Sequence, residues 1–159
     1  MTSWRDYETV NCPVAGAMAI IGVKWSLLIL RDLFGGLRRF DDLQAHLGAP
    51  RALLSKRLRK LEEAGIVSRV AYRDPGERTR FEYRLTDRGA DLRPILIALK
   101  EWGDLHVNEP GQEPTELVDK QTGQRVRLAL VRDGDGAAVD VRDLRMVPGP
   151  GAIKRRTVS

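Results

Sequence analysis

The sequence contains a single cysteine, Cys12, and only two histidines, His46 and His106. One thiol cannot form a disulfide within the chain, and it cannot supply the two or four cysteines of a structural zinc site. Two histidines are too few for a convincing zinc centre or a histidine-driven catalytic cluster. Neither a glycine-rich phosphate loop nor a G-x-S-x-G nucleophile elbow occurs. The sequence therefore predicts no metal, no cofactor and no enzymatic activity.

Long apolar segments are also missing. No apolar stretch approaches the ~20 residues needed to cross a bilayer. The first ten residues include Arg5, Asp6 and Glu8 and lack the apolar centre of a signal peptide. These two absences predict a cytoplasmic protein with no membrane partner.

The positive charge of the chain is concentrated in one segment. Lysine and arginine number 27 against 22 acidic residues, which gives a net charge of +5. Residues 36–84 hold twelve basic and seven acidic residues, whereas the rest of the chain balances at fifteen of each. A focused basic surface attracts polyanions. Charge alone is equally consistent with a solvated face, so the pattern along the segment must decide.

Two short helices joined by a tight turn are predicted inside this basic segment. Residues 40–47 form an amphipathic helix before Gly48, and residues 50–64 form a second one before Gly65. The second helix is backed by an apolar stripe of Leu54, Leu58 and Leu61. Its opposite side carries Ala52, Lys56, Arg59 and Lys60, with Ser55 beside them. This pattern is typical of a helix-turn-helix.

A β-hairpin is predicted directly after the basic helix. Residues 66–72 and 81–85 alternate as strands on either side of the turn Asp74-Pro75-Gly76-Glu77. Three arginines lie near its tip: Arg73, Arg78 and Arg80. A hairpin in this position is typical of the wing of a winged helix-turn-helix.

Apolar helices flank this motif. Residues 13–21 and 24–34 precede it, and one helix is predicted from a cap at Thr86 or Asp87 to about residue 107. The apolar face of this last helix is wider than its neighbours in one domain can cover, which predicts an isologous subunit interface. The interface residues proposed on it are Leu92, Ile95, Leu96, Leu99 and Trp102.

We expect two regions in an α+β chain. Residues 1–108 would form a winged helix-turn-helix domain with flanking dimerisation helices, and residues 109–159 a small C-terminal β-rich extension. In the extension, strands are predicted over 125–131 and 139–147, followed by a frayed basic end from Lys154. Disorder of the whole extension is the alternative.

Five stretches carry a resemblance to a known family. They are CPV at 12–14, GVKWSLLILRDL at 22–33, RRFDDL at 38–43, LSKRLRKLEEAGIV at 54–67 and YRLTDRG at 83–89. In order and spacing across residues 12–103, the chain resembles the HxlR-type transcriptional regulators, a branch of the MarR-like winged-helix proteins.

The resemblance implies a homodimer that binds a palindromic double-stranded DNA operator, more often to repress than to activate transcription. The helix over 50–64 would enter the major groove, and the terminal helices would form the dimer interface. Base contacts are expected from Arg51, Ser55 and Lys56, in the half of that helix that usually meets bases. Phosphate contacts are expected from Arg38, Arg39, Arg59, Lys60, Arg78 and Arg80. A small-molecule effector, which the sequence does not identify, is a further candidate partner.

Two alternatives remain open from the sequence. Cys12 precedes Pro13 at a helix N-terminus, where the helix dipole favours a thiolate, and some HxlR-type proteins use a cysteine at this position as a redox or electrophile switch. A small structural cysteine is the simpler interpretation. In a second alternative, the winged helix serves as a protein-interaction module, which would leave the basic helix without a role.

Overall fold

The computed structural model describes residues 6–8 and 10–155. The chain divides into two compact units. Residues 17–114 form one, here called the helical unit; residues up to 16 together with those from 115 onward form the other, here called the tail unit. This division differs from the expected one after residue 108, because the first sixteen residues group with the C-terminal extension.

Four helices open the structure. They are α1 (Pro13–Ile21), α2 (Lys24–Phe34), α3 (Phe40–Leu47) and α4 (Arg51–Glu63). The bounds expected from the apolar periodicity and the glycine stops are confirmed to within one residue at each end. The side chains at the centre of the core are fully buried and come from α2, α3 and α4: Ile29, Leu30, Leu43, Leu54, Leu58 and Leu61. The apolar stripe of α4 thus faces α2, which leaves its basic side outside.

The turn between α3 and α4 is three residues long. Gly48 ends α3 with a φ of +61°, a left-handed conformation that glycine adopts without steric cost. Ala49 is buried, and Pro50 caps the start of α4 in an extended conformation. This short connection fixes α4 across α3, as in a helix-turn-helix.

The wing is an antiparallel hairpin of β1 (Val67–Tyr72) and β2 (Arg80–Leu85). Val67 pairs with Leu85 at its base and Tyr72 with Arg80 at its outer end. A third short segment joins it, because Arg39 bridges to Glu82 and the Tyr83 N–H donates to the Arg38 carbonyl at 2.8 Å. The expected hairpin is confirmed, and its root lies beside the start of α3.

The prediction of one long helix over residues 87–107 is wrong in one respect. The segment is broken into α5 (Asp87–Ala90) and α6 (Arg93–His106). Pro94 explains the break. It has no N–H to donate, and within one continuous helix its ring would collide with the carbonyl of Ala90. The expected cap is confirmed at Thr86, whose Oγ1 accepts a hydrogen bond from the Gly89 N–H at 3.1 Å.

Helix α5 approaches the α4–β1 connection closely. A Cβ atom on Gly89 would lie 2.1 Å from the Ile66 carbonyl oxygen, so no side chain fits there. The Thr86 hydroxyl donates to the Gly65 carbonyl at 2.6 Å. These contacts fasten the base of the wing to the segment that leads into α6.

The tail unit contains less strand than the sequence predicts. Its strands are β3 (Leu130–Val131) and β4 (Ala138–Val139), which pair with each other around the expected turn at 133–136. Of the strand expected over 139–147, only residue 139 lies in β4, and a 3₁₀ turn follows over Val141–Asp143. The frayed end expected from Lys154 is wrong for the first two of its residues, because Lys154 bridges to Tyr7 and the Arg155 N–H donates to the Asp6 carbonyl at 2.8 Å. The remainder of that end, residues 156–159, lies outside the described residues.

Among the described residues, no single helix is long and apolar enough to cross a membrane. Helices α1 and α2 meet the criteria of length and composition only as a pair, with a bend of 79° between them.

Candidate DNA-binding surface

The outer side of α4 presents the candidate base-contacting residues. Lys56 and Arg59 are exposed and Ser55 is half-buried beside them. In the part of the chain that the structure describes, neither Lys56 nor Arg59 forms an ion pair. Lys60 differs, because its ammonium donates to Glu63 at 2.8 Å and thereby lowers the pKa of that carboxyl. Arg59 also contributes to the lowered pKa of Glu63, so Lys56 is the cation of this side most available to an external anion.

Arg51, the first residue of α4, is held in place by side chains of α3. Its guanidinium carbon lies 4.6 Å from the centre of the Phe40 ring. One of its nitrogens donates to Asp41 at 3.0 Å and to Gln44 at 3.3 Å. Cation–π contact and a carboxylate together restrict the side chain, so the structure holds Arg51 at the junction of the two helices with α3 as its support.

Arg39 is held against the outer end of the wing in a similar way. Its guanidinium carbon lies 4.5 Å from the centre of the Tyr72 ring, and it forms an ion pair with Asp74 at 3.2 Å. The neighbouring Arg38 is exposed, and its backbone carbonyl is bonded to β2. Tyr83 of β2, closer to the base of the wing, is half-buried, and this burial raises the pKa of its hydroxyl.

The arginines of the wing fall into two groups. Arg73 and Arg78 lie in the loop between the strands, whereas Arg80 is the first residue of β2 and not at the tip. Arg73 donates to the Glu77 carbonyl at 2.7 Å, and Arg80 forms an ion pair with Glu77 at 3.1 Å. Arg78 forms no ion pair or hydrogen bond with another described residue, so its guanidinium is the least engaged of the three.

A link between the wing and α4 was not expected from the sequence. Arg69 of β1 donates to Glu62 of α4 at 2.9 Å and lies over the Phe81 ring at 5.5 Å. It thus couples the position of the hairpin to the C-terminal half of α4. Sequence spacing gives no signal for such a pair, because its members lie on different elements.

A buried carboxylate connects α2 to α3. The side chain of Asp32 is 1% exposed; it accepts a hydrogen bond from Arg31 at 2.8 Å and lies 2.8 Å from His46 Nδ1. The His46 ring, near the end of α3, is the contact of this carboxylate on the second helix. The signal in the sequence was an acidic residue inside the otherwise apolar run of α2.

Replacing Asp32 with alanine should lower the free energy of unfolding by about 2 kcal/mol, since hydrogen bonds to charged groups contribute roughly 1.5–3 kcal/mol. Urea titration followed by circular dichroism measures the change. The control is Asp42→Ala, an exposed acid on α3 whose removal should cost less than ~1 kcal/mol. Equal losses for both variants would contradict a structural role for the buried carboxylate.

The expected interface residues of α6 do not share one face. Leu92 and Leu96 are half-buried and pack against the core of their own chain. Ile95, Leu99 and Trp102 point outward and are 41% to 60% exposed. No side chain of α6 is buried, and on α1 the apolar residues Val14 and Met18 are exposed as well. An apolar surface thus remains on both flanking helices.

Cys12 lies just before α1 and is half-buried. Its backbone carbonyl accepts the first hydrogen bond of the helix, from the Gly16 N–H at 3.0 Å. The thiol therefore lies directly before the flanking helix α1. In the sequence it is distant from α4.

Known proteins share this arrangement. The model of the HxlR-like helix-turn-helix family matches residues 20–110. The uncharacterized HTH-type transcriptional regulator Rv3095 of Mycobacterium tuberculosis is 40% identical over 138 residues, which cover 87% of this chain and 86% of the relative.

Two solved structures differ in how much of this chain they match. PA1607, described as a candidate transcription factor, has a TM-score of 0.76 at 39% identity and covers 88% of this chain and 96% of its own. The redox regulator HypR in its oxidized form has a TM-score of 0.55 at 32% identity and covers 62% of this chain and all of its own. With an α+β winged helix-turn-helix fold, a matching family model and a relative similar over most of its length, the chain belongs to the HxlR-like helix-turn-helix family of transcriptional regulators.

Proposed function

We propose that the chain binds a palindromic double-stranded DNA operator as a homodimer and thereby represses transcription. The observation that carries the proposal is the exposed basic side of α4, which stands next to a wing that bears further arginines. Lysine and arginine neutralise phosphates and release counterions, which supplies most of the general affinity for DNA. Hydrogen bonds to base edges supply the sequence preference.

The dimensions of α4 support this role. Thirteen residues span ~20 Å, a length suited to the major groove. In such a docking the N-terminal half of the helix meets bases, which assigns Arg51, Ser55 and Lys56 to base contacts. Phosphate contacts are assigned to the remaining basic residues of this surface: Arg38, Arg39, Arg59, Lys60, Arg78 and Arg80.

The homodimer is supported by the flanking helices. The outward residues of α6 and the exposed apolar residues of α1 form a surface that water disfavours. A two-fold symmetric contact between two copies would cover it and would place two α4 helices on one side of a duplex. Operator half-sites would then lie about one helical turn, or a multiple of it, apart.

Selection of bound duplexes from a random pool tests the proposal. We expect a two-fold symmetric motif with half-site centres separated by about 10 base pairs or a multiple of that spacing. A reporter placed behind the selected motif should be less active when the protein is present, which tests repression separately. Failure to enrich any sequence would favour the alternative of a protein-interaction module.

A redox-sensing form of the same regulator is a second candidate. It is favoured by the half-buried thiol of Cys12 before α1 and by the likeness to a protein named as a redox regulator. Oxidation of a thiol next to the proposed dimer helix would alter the spacing of the two α4 helices.

Mild peroxide should then weaken operator binding at least tenfold, and a thiol reductant should restore it. The matched variant is Cys12→Ser, which should bind the operator like the wild type and ignore the oxidant. Band-shift titrations with and without peroxide measure both. Identical oxidant responses in the two proteins would reject the switch and leave Cys12 as a structural residue.

A further inference from the structure

Arg51, the first residue of α4, is contacted by three side chains of α3. Its guanidinium carbon lies over the Phe40 ring at 4.6 Å, and its Nη1 donates to Asp41 at 3.0 Å and to Gln44 at 3.3 Å. These contacts restrict a long side chain that is otherwise 68% exposed. A side chain that is already restricted loses less conformational entropy when it binds a ligand. Arg51 is therefore prepared for one particular contact.

The contacts with α3 occupy one end of the guanidinium and leave one edge available. Nη1 carries two hydrogens, and its two acceptors, on Asp41 and Gln44, match them in number. Among the described residues, Nε and Nη2 of Arg51 have no acceptor. Their N–H groups lie along one edge of the planar group and form a fork of two parallel donors. This edge fits a ligand with two adjacent acceptors.

DNA offers two ligands of that kind, a phosphate and the O6/N7 edge of guanine. Asp41 distinguishes between them. Its carboxylate is 69% exposed and forms an ion pair with Arg51, so the pair has no net charge with which to neutralise a phosphate. A phosphate would also approach the negative charges of Asp41 and of the exposed Asp42, and like charges at an interface are unfavourable. A base edge is uncharged and avoids both penalties.

The major-groove edges of the four bases differ in what they present to the fork of Arg51. Guanine presents two acceptors, N7 and O6. Adenine has the N6 donor in place of O6, cytosine presents a donor, and thymine presents the single acceptor O4. An unrestrained arginine could turn away from a mismatched donor, whereas the contacts with Phe40 and Asp41 oppose such a turn. The restrained fork therefore favours guanine.

We propose that Arg51 contacts a guanine in each operator half-site through Nε and Nη2, with Phe40, Asp41 and Gln44 as its positioning residues. The inference rests on the proposed function of operator binding and names one base that the operator must contain. Helix α3 thus contributes to sequence preference through the side chain that it holds.

Operator duplexes that carry 7-deazaguanine test the inference in the full-length wild-type protein. This analogue pairs like guanine but has a carbon in place of the N7 acceptor. The duplex selected from the random pool is substituted at one guanine of each half-site at a time. At one position, the substitution should weaken binding about tenfold or more, because a base contact is lost in both subunits. Arg51→Ala should bind the natural duplex correspondingly less tightly and should show no further loss at that position.

Asp41→Asn tests the positioning role of α3. Asparagine keeps an acceptor for Nη1 but removes the charge that opposes a phosphate. Affinity for a random duplex should therefore rise, and the preference for operator over random DNA should fall about fivefold. Asp42→Asn is the matched control, because it makes the same change at the neighbouring exposed position, which does not contact Arg51 among the described residues. It should keep the wild-type preference.

The outcomes separate the inference from the proposed function. If the selected duplex is bound but Arg51→Ala is as sensitive as the wild type to 7-deazaguanine at every position, the guanine contact is overturned and operator binding stands. Equal losses of preference in Asp41→Asn and Asp42→Asn would overturn the positioning role of Asp41. Failure to enrich any duplex would overturn both the inference and the proposed function.

Discussion

Replacing Lys56 with alanine should reduce the preference for operator over random DNA about 30-fold or more. Each good base contact contributes ~1–3 kcal/mol of discrimination, and a dimer loses the contact twice. Lys56 is exposed at the middle of α4 and engages no acidic side chain within the described residues, so its loss leaves the fold intact. Titration of operator and scrambled duplexes over a range of salt concentrations measures the effect.

Arg78→Ala is the control for this prediction. Arg78 lies in the loop of the wing and is assigned to phosphate, so its loss should weaken binding to both duplexes alike. It should also reduce the slope of log K against log salt by about two per dimer. If the wing variant loses discrimination while the helix variant loses only general affinity, base recognition has been assigned to the wrong element.

Replacing Leu99 with aspartate should convert the protein to a monomer and lower operator affinity at least 100-fold. Leu99 is 49% exposed at the centre of the outward side of α6. A carboxylate there would have to be desolvated for two copies to associate. A monomer retains the contacts of only one half-site. Light scattering at micromolar concentration should then report a mass near 17.8 kDa.

Leu99→Met separates loss of the interface from loss of packing. Methionine is apolar and similar in volume, and such exchanges are usually tolerated, so this variant should remain a dimer and bind the operator normally. A dimeric Leu99→Asp protein with normal operator affinity would remove α6 from the interface.

Much of the fold could be predicted from local signals. The bounds of the first four helices follow from apolar periodicity and from glycines such as Gly22, Gly48 and Gly65, which stop helices where no other residue fits as easily. The hairpin follows from the strict alternation of apolar and polar residues in β2. It also follows from the turn Asp74-Pro75-Gly76-Glu77, whose residue types favour a β-turn. These features depend on neighbours within a few residues.

The rest depends on residues that are distant in sequence. Pro94 signals the break between α5 and α6, but the apolar periodicity that continues past it favours one long helix. The contact between Asp32 and His46 joins two helices fourteen residues apart. Likewise, the position of Arg51 at the start of α4 follows from sequence order, but its support by Phe40 depends on the crossing of α3 and α4. Leu92 and Leu96, which were expected at a subunit interface, also pack against the core of their own chain, a contact that a helical wheel cannot show.

The pairing between the two ends of the tail unit bears on the order of events during synthesis. Arg155 Nε donates to the Tyr7 carbonyl across 148 residues of chain. The contacts of the helix-turn-helix and the wing span shorter stretches of chain, such as that from Arg39 to Glu82, and contacts of smaller sequence separation form earlier. The segment around Tyr7 has no strand partner until synthesis has passed Lys154. We therefore expect the recognition elements to be complete before the tail unit closes, and this late, long-range pairing to be among the first contacts that open again in the native state.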